Sequence, residues 1–301
     1  MNIIAKIKNK IEHPVLGEIW CLHRVLPERS RFGRNKELEI TPRFLQEKIE
    51  AYQRDGFRFC SIDEIYSGQL FRYRFPWMPR FVNISFDDGF SDVYEHAFPV
   101  FKKYAIPFTL YLTTDFPEKK AFIWWLMLEK IILDHDAVEF PDGTRYPCSI
   151  EDDKQRLFEE SMHLIYHSGE SAPIFFTKLF GKYIGEYASM NEKLALSWSQ
   201  ILEMLDSGLC TLGSHSATHP DFRSLSYDEI LKDIQASVSK IKEKTKKDVF
   251  HFSYPHSFRT DNAERAVVKL GMQTAAMGYG GSVKLPVDGY CLPRNYIVEP
   301  E

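Results

Sequence analysis

The sequence predicts an α/β fold built on a mainly parallel sheet. Three observations carry that reading. Short apolar, strand-like runs alternate with helical periodicities along most of the 301 residues; capping residues and glycines punctuate the helices; and polar, titratable residues stand directly after several of the strand-like runs. Hydrophobic residues make up 44% of the chain against 27% charged, which supplies apolar surface for a packed core and excludes disorder as the main state.

Taken in order, the first residues set Ile3, Ile4, Ile7 and Ile11 on one helical face with Lys6, Lys8 and Lys10 opposite. Lysines interrupt any run long enough for a signal peptide, so this stretch reads as a terminal helix packed on its own domain, with peripheral membrane contact as the lesser reading. The strand candidates are 18–22, 80–86, 107–112, 209–213, 249–253 and 272–276. Between them, Thr41 and Pro42 form an N-cap and first-turn proline ahead of Phe44, Leu45, Ile49 and Tyr52, with Gly56 as the stop. Ser226 and Glu229 make a capping-box pattern before Ile230, Ile234, Val238 and Ile241. Residues 197–208 and 261–271 read as helices that each close on a glycine. Residues 116–196 break the alternation: three amphipathic helical stretches follow one another, with strand character only around 137–146. This predicts a helical insertion in an otherwise single domain spanning 1–301. Trp124 and Trp125, in an Ile/Leu/Met-rich stretch, read as core.

Charge and cysteine usage narrow the function classes. Thirty-eight Lys and Arg against forty-two Asp and Glu give a net charge of -4, so no basic field exists to hold nucleic acid. Five scattered cysteines without a C-x-x-C pair argue against a disulfide framework and a thiolate zinc site, and favour a reducing compartment. The longest apolar stretch, 121–128, is far short of the roughly 20 residues of a spanning helix. The expectation is a cytoplasmic protein.

In a parallel α/β sheet or barrel, reactive groups gather on loops at the carboxyl ends of strands. That rule selects Asp87-Asp88-Gly89, then His215-Ser216-Ala217-Thr218-His219-Pro220, then His23, then Tyr254-Pro255-His256. Two imidazoles four residues apart can face one point across a helical turn, and a carboxylate completes a three-ligand site with positions open to water. Zinc suits that donor set best, with iron, cobalt, manganese or nickel as other candidates. Neighbouring residues leaving a strand point to different sides, so one aspartate can bind the metal while the other accepts a proton from water. An acid is then needed for the leaving group, and His23 is placed to supply it if its strand neighbours the one before Asp87.

These residues resemble the polysaccharide deacetylases, carbohydrate esterases with a NodB-type domain, over residues 18–115 and 197–298. Ser85-Phe86-Asp87-Asp88-Gly89 is similar to the TFDDG motif, whose first Asp is the base and second a metal ligand. Gly213 to Pro220 resembles the GSHTxxHP metal motif, and Phe252-Ser253-Tyr254-Pro255-His256-Ser257 is similar to the FxYPxG form of the third motif, in which the position of His256 offers its backbone N–H to an oxyanion. The resemblance implies a distorted (β/α)7-type barrel and removal of acetyl groups from sugars. It departs from the pattern at three places. Ser253 stands where many members carry an arginine that orients the base; His256 and Ser257 replace an aromatic and a glycine; and the late Leu-x-His acid motif is absent. Trp20-Cys21-Leu22-His23-Arg24-Val25 resembles the LxYHxV opening of circularly permuted members, which assigns the acid to His23. Arg294, in an LPR context, is a candidate for the lost orienting role, and is counted with Tyr254 and Pro255 among the substrate-binding residues.

The expected function is therefore a metal-dependent hydrolase that removes an N-acyl group, most simply acetyl, from an amino sugar of a glycan or of a nucleotide- or lipid-linked precursor. Asp88, His215 and His219 hold the metal; Asp87, His23 and His256 are catalytic. The alternatives are an N-deformylase of a sugar, a metal- and sugar-binding protein that has lost catalysis, and a phosphate-ester hydrolase, for which basic residues near the metal are few beyond Arg24 and Arg259. The pattern assigns no oligomeric state.

Overall fold

A computed structural model describes residues 14–67 and 79–300. The amphipathic stretch at the start of the chain lies outside the described residues. Seven parallel strands close on themselves: β1 (Val15–Leu22), β2 (Phe81–Phe86), β3 (Phe108–Leu112), β4 (Cys210–Ser214), β5 (His251–Ser253), β6 (Thr274–Gly280) and β7 (Leu292–Tyr296). Each pairs with the next in chain order, and β7 returns to β1 through Trp20 opposite Asn295 and Cys21 opposite Tyr296. The longest unbroken register is β1–β2, from Gly17 opposite Phe81 to Leu22 opposite Phe86. Arg58–Phe59 flanks β2, and Val283–Lys284 lies antiparallel to β1.

Both faces of these strands are buried, which explains their near-continuous apolar runs. The period-2 alternation sorts them: Val82, Ile84 and Phe86 join the large core beneath the helices, while Ile19, Tyr111, Ala276 and Leu292 share the smaller, inner cluster. Asn83, Ser85 and Thr109 are fully buried on the inner side, and Asn83 donates to the Cys60 carbonyl at 3.0 Å. All six predicted strands are present. The seventh, β7, lies outside the strand pattern because Pro293 and Arg294 interrupt it. A shift in the β6–β7 register accommodates the proline at Gly280, which has φ +123°; a Cβ there would stand 2.7 Å from Pro293 Cβ.

Helices α1 (Pro42–Arg54), α2 (Phe98–Tyr104), α3 (Trp198–Asp206), α4 (Tyr227–Thr245) and α5 (Asp261–Lys269) cover the barrel strands. Thr41 caps α1 by accepting from the Phe44 N–H at 3.1 Å, and full capping boxes open α3 (Ser197 with Gln200) and α4 (Ser226 with Glu229). Their buried faces, including Leu45, Ile49, Ile201, Ile230, Ile234 and Ile241, complete the large core.

A second compact unit comprises Ser30–Glu37 and Lys119–Leu194. It contains a hairpin of Ala137–Glu139 with Arg145–Pro147 and three longer helices, Trp124–Asp134, Glu151–His167 and Ala172–Phe180. Its core is its own: Phe32, Leu128, Phe158, Phe176 and Phe180, with Trp124 also buried. The short segment 30–37, which the sequence pattern did not single out, is bound in by Phe32 and by Asn35, whose amide donates to Glu129. Among the described residues, no helix is long and apolar enough to cross a membrane.

Candidate active site at the carboxyl end of the barrel

β2 delivers the two aspartates. The Asp87 N–H donates to the Leu22 carbonyl at 3.0 Å and so continues the β1–β2 ladder by one bond. At Asp88 the chain turns: its φ is 77°, a left-handed conformation held by Thr113, whose N–H donates to the Asp88 carbonyl at 2.8 Å. Both side chains are buried. β4 then delivers His215, whose N–H donates to Leu112 O at 2.9 Å. Its Nδ1 lies 2.8 Å from the Ser253 carbonyl. A carbonyl can only accept, so Nδ1 carries the proton and Nε2 presents a lone pair.

His219 reaches the same point by a turn, which corrects the expected helical spacing. Ser216 and His219 are both left-handed, at φ 69° and 56°. The His219 N–H donates to Ser216 Oγ, while Asp233 of α4 accepts from the Ala217 N–H at 2.9 Å and the Thr218 hydroxyl at 2.8 Å. The result is a convergence: Asp88 Oδ1 lies 3.7 Å from His215 Nε2 and 3.6 Å from His219 Nε2. Ligands about 2.0–2.1 Å from a tetrahedral ion stand roughly 3.3–3.4 Å apart, so this trio needs little contraction to hold one. Two neutral imidazole nitrogens and a carboxylate oxygen fit a divalent cation in chemistry as well as in spacing.

Asp87 faces a different set of partners. Arg294 of β7 grips it with both arms, Nη1 donating to Oδ1 at 2.8 Å and Nη2 to Oδ2 at 2.6 Å. The remaining guanidinium donors go to Ser85 Oγ, Ser253 Oγ and the Met277 carbonyl, so all five are used. The Ser253 hydroxyl donates in turn to Asp87 Oδ2 at 3.2 Å. Arg294 is thus the buried partner of Asp87, and the expectation that it contacts substrate is corrected: no donor is left for one. Tyr254 is likewise committed. It is buried, its hydroxyl donates to Tyr290 O at 3.1 Å and its N–H to Ala276 O. Pro255, also buried, has no N–H and fixes the turn into His256. His256 is exposed and left-handed at φ 54°, and its ring meets that of His219 edge-on, with centroids 4.4 Å apart.

His23 stands at the end of β1, which pairs directly with β2 as its expected role requires. Its ring, Cys21 and Asp87 bring one side-chain atom each within 4.8 Å of one another. Its Nδ1 is buried without a hydrogen-bond partner among the described residues, and its ring centroid lies 5.5 Å from that of Tyr296.

Burial and charge drive the two aspartates apart. Burial would raise Asp87, but the Arg294 guanidinium outweighs it and holds the carboxyl well below the usual range. Burial pushes Asp88 up to about 6, with His23 opposing and the Asp87 charge reinforcing the rise. Burial also lowers His23, His215 and His219, leaving neutral rings at neutral pH. Sequence reasoning missed the serines. Ser85 carried one usable signal, since it sits two residues before Asp87 and so shares its strand face.

Residues 78–275 match the family model of polysaccharide deacetylase. In fold the chain is similar to IcaB of Ammonifex degensii (21% identity, TM-score 0.62, covering 93% of this chain and 91% of that one). It is also similar to the deacetylase PplD of Streptococcus pyogenes, solved with acetate (16%, 0.61, 93% and 92%), and to a de-N-acetylase of Aggregatibacter actinomycetemcomitans (15%, 0.58, 93% and 94%). No curated protein matches it. The family match takes in Asp87, Asp88, both converging histidines and His256, and stops short of His23 and Arg294. Spanning well over half of the sequence and centred on the strand ends just described, it establishes that the chain belongs to the polysaccharide deacetylase family.

Proposed function

We propose that the protein is a divalent-metal-dependent N-deacetylase acting on an amino sugar of a glycan or glycan precursor, with zinc the best-suited ion. The observation that carries this reading is the convergence of Asp88, His215 and His219 beside a second carboxylate, Asp87, held by Arg294. An ion held by those three residues supplies Lewis acidity to the acyl carbonyl and to water.

The chain's own groups supply the rest. Asp87 is ionised at rest, and Oδ1, which among the described residues accepts from Arg294 alone, keeps a lone pair for the proton of an attacking water. The bidentate guanidinium fixes the carboxylate's plane, a gain in orientation that offsets the basicity it removes. His23, on the neighbouring strand, donates to the departing amine in its protonated form, which burial makes the minor form at neutral pH. The His256 backbone N–H, turned by its left-handed conformation, donates to the oxyanion. An impaired sugar-binding protein is favoured by the arginine missing at Ser253 and by the unusual Tyr254-Pro255-His256-Ser257; against the first of these, Arg294 holds Asp87, and Ser253 is small enough to hydrogen-bond both.

The test is acyl release from N-acetylated and N-formylated amino sugars, free, polymeric, nucleotide-linked and lipid-linked. Acetate release that a chelator abolishes and added zinc restores supports the reading. The Asp87→Asn variant is expected to bind zinc as the unsubstituted chain does and to lose about 10²- to 10⁴-fold in kcat. A fully active Asp87→Asn protein overturns the base assignment.

A further inference from the structure

A second buried ion cluster lies directly behind the site. Arg24 and Val25 form a short parallel pair with Glu39 and Ile40. The Arg24 side chain is 7% exposed; its Nε donates to Asp92 Oδ2 at 2.9 Å and its Nη1 to Glu39 Oε1 at 3.1 Å. The guanidinium lies over the Phe90 ring, 4.6 Å from its centroid. The other Asp92 oxygen accepts from the Val25 N–H at 2.9 Å. Asp92 closes the same turn that Asp87 and Asp88 open, so two stretches of chain are laced together on both sides of His23. Before it, the Asp87 N–H donates to Leu22 O; after it, Arg24 and Val25 are both bound to Asp92. The His23 ring has no hydrogen bond at Nδ1 among the described residues, which leaves its position to packing, as against Tyr296, and to the backbone lacing on either side.

A buried cation between two carboxylates is a costly way to stabilise a fold, because apolar residues of similar volume do so at least as well. What it supplies is a fixed register. We propose that Arg24 and Asp92 are positioning residues that hold His23 at its working distance from the Asp87–Asp88 pair. This rests on the reading of His23 as the acid given above.

The experiment uses the full chain with zinc. Asp92→Asn keeps the shape and removes the charge; Arg24→Lys keeps the charge and removes the fork; Glu39→Gln loosens Arg24 from the far side and leaves Asp92 in place. The first two are expected to lower kcat about 10- to 100-fold, the scale on which an ångström of misplacement acts, and Glu39→Gln less, with KM and zinc affinity within about threefold of the unsubstituted protein. In a His23→Ala background, Asp92→Asn should cost no further kcat, since its effect passes through the missing ring; a merely structural role would multiply the two losses. The ring resonances of His23 in the Asp92→Asn protein should shift while those of His215 and His219 stay. Unchanged kcat in folded, zinc-loaded variants, multiplying losses in the double variant, or an unmoved His23 signal would each overturn the proposal. If the unsubstituted chain releases no acyl group, the deacetylase reading fails instead, and the resonance measurement still decides whether the clamp positions His23.

Discussion

Asp87 and Asp88 are the same side chain in adjacent positions, and what each touches gives it a different job. The guanidinium of Arg294 keeps Asp87 ionised far below neutrality, whereas Asp88, buried beside two neutral imidazoles, is raised to about 6. A pH dependence follows with a definite sign. Below about 6 a proton occupies Asp88, and a cation must displace it; above, the carboxylate is already bare. Burial lowers both His215 and His219, which moves any slope they add toward lower pH. Zinc affinity of the metal-free protein is therefore expected to fall roughly tenfold per pH unit below about 6 and to level off above it. Titration calorimetry from pH 5 to 7.5 reads this directly; a flat profile would overturn the raised protonation of Asp88.

At the scale of elements, the site depends on strands whose ends come to one rim at fixed register. The β1–β2 seam carries His23 on one strand and both aspartates on the other, and it closes tightly at Gly17, where an added Cβ would fall 2.3 Å from the Phe81 carbonyl oxygen. Neither partner can yield, because one is backbone and the other is Phe81, buried in the inner cluster. Gly17→Ala is expected to destabilise the chain by about 1–3 kcal/mol and to lower kcat through His23; denaturant unfolding and turnover measured together check both. This also explains what the sequence made legible. Asp87 and His215 are readable because each directly follows a strand, and Asp88 and His219 stand in the same two loops. The bond between Arg294 and Asp87 joins residues 207 apart in a strand broken by Pro293; strand pattern does not report it, and only the resemblance, through the LPR context, points to Arg294. The His215–His219 spacing suggested a helical turn, but Ser216, His219 and the anchor from Asp233 make a left-handed loop, a tertiary outcome that spacing cannot reveal.

For the molecule as a whole, the chemistry and the second unit rest on separate cores. Every proposed site residue, from His23 to Arg294, belongs to the barrel unit, whose large and inner clusters pack without residues of 119–194. The second unit stands on Phe32, Phe158, Phe176 and their neighbours, with the Phe32 and Phe158 rings stacked at 4.7 Å between centroids. Truncating Phe158 removes the centre of that cluster and should cost about 3–5 kcal/mol locally. A unit with its own core can lose stability independently, so the transition expected in calorimetry of Phe158→Ala is a new, earlier one, with the barrel's main transition in place. Zinc affinity should remain that of the unsubstituted protein, since none of Asp88, His215 or His219 belongs to the weakened unit. Polymeric substrates then provide the informative contrast with small ones. A Phe158→Ala protein that cleaves N-acetylated monosaccharide derivatives normally but has lost activity on long glycans would assign the second unit to gripping the polymer. Equal loss on both would show that the catalytic rim itself depends on the unit's integrity.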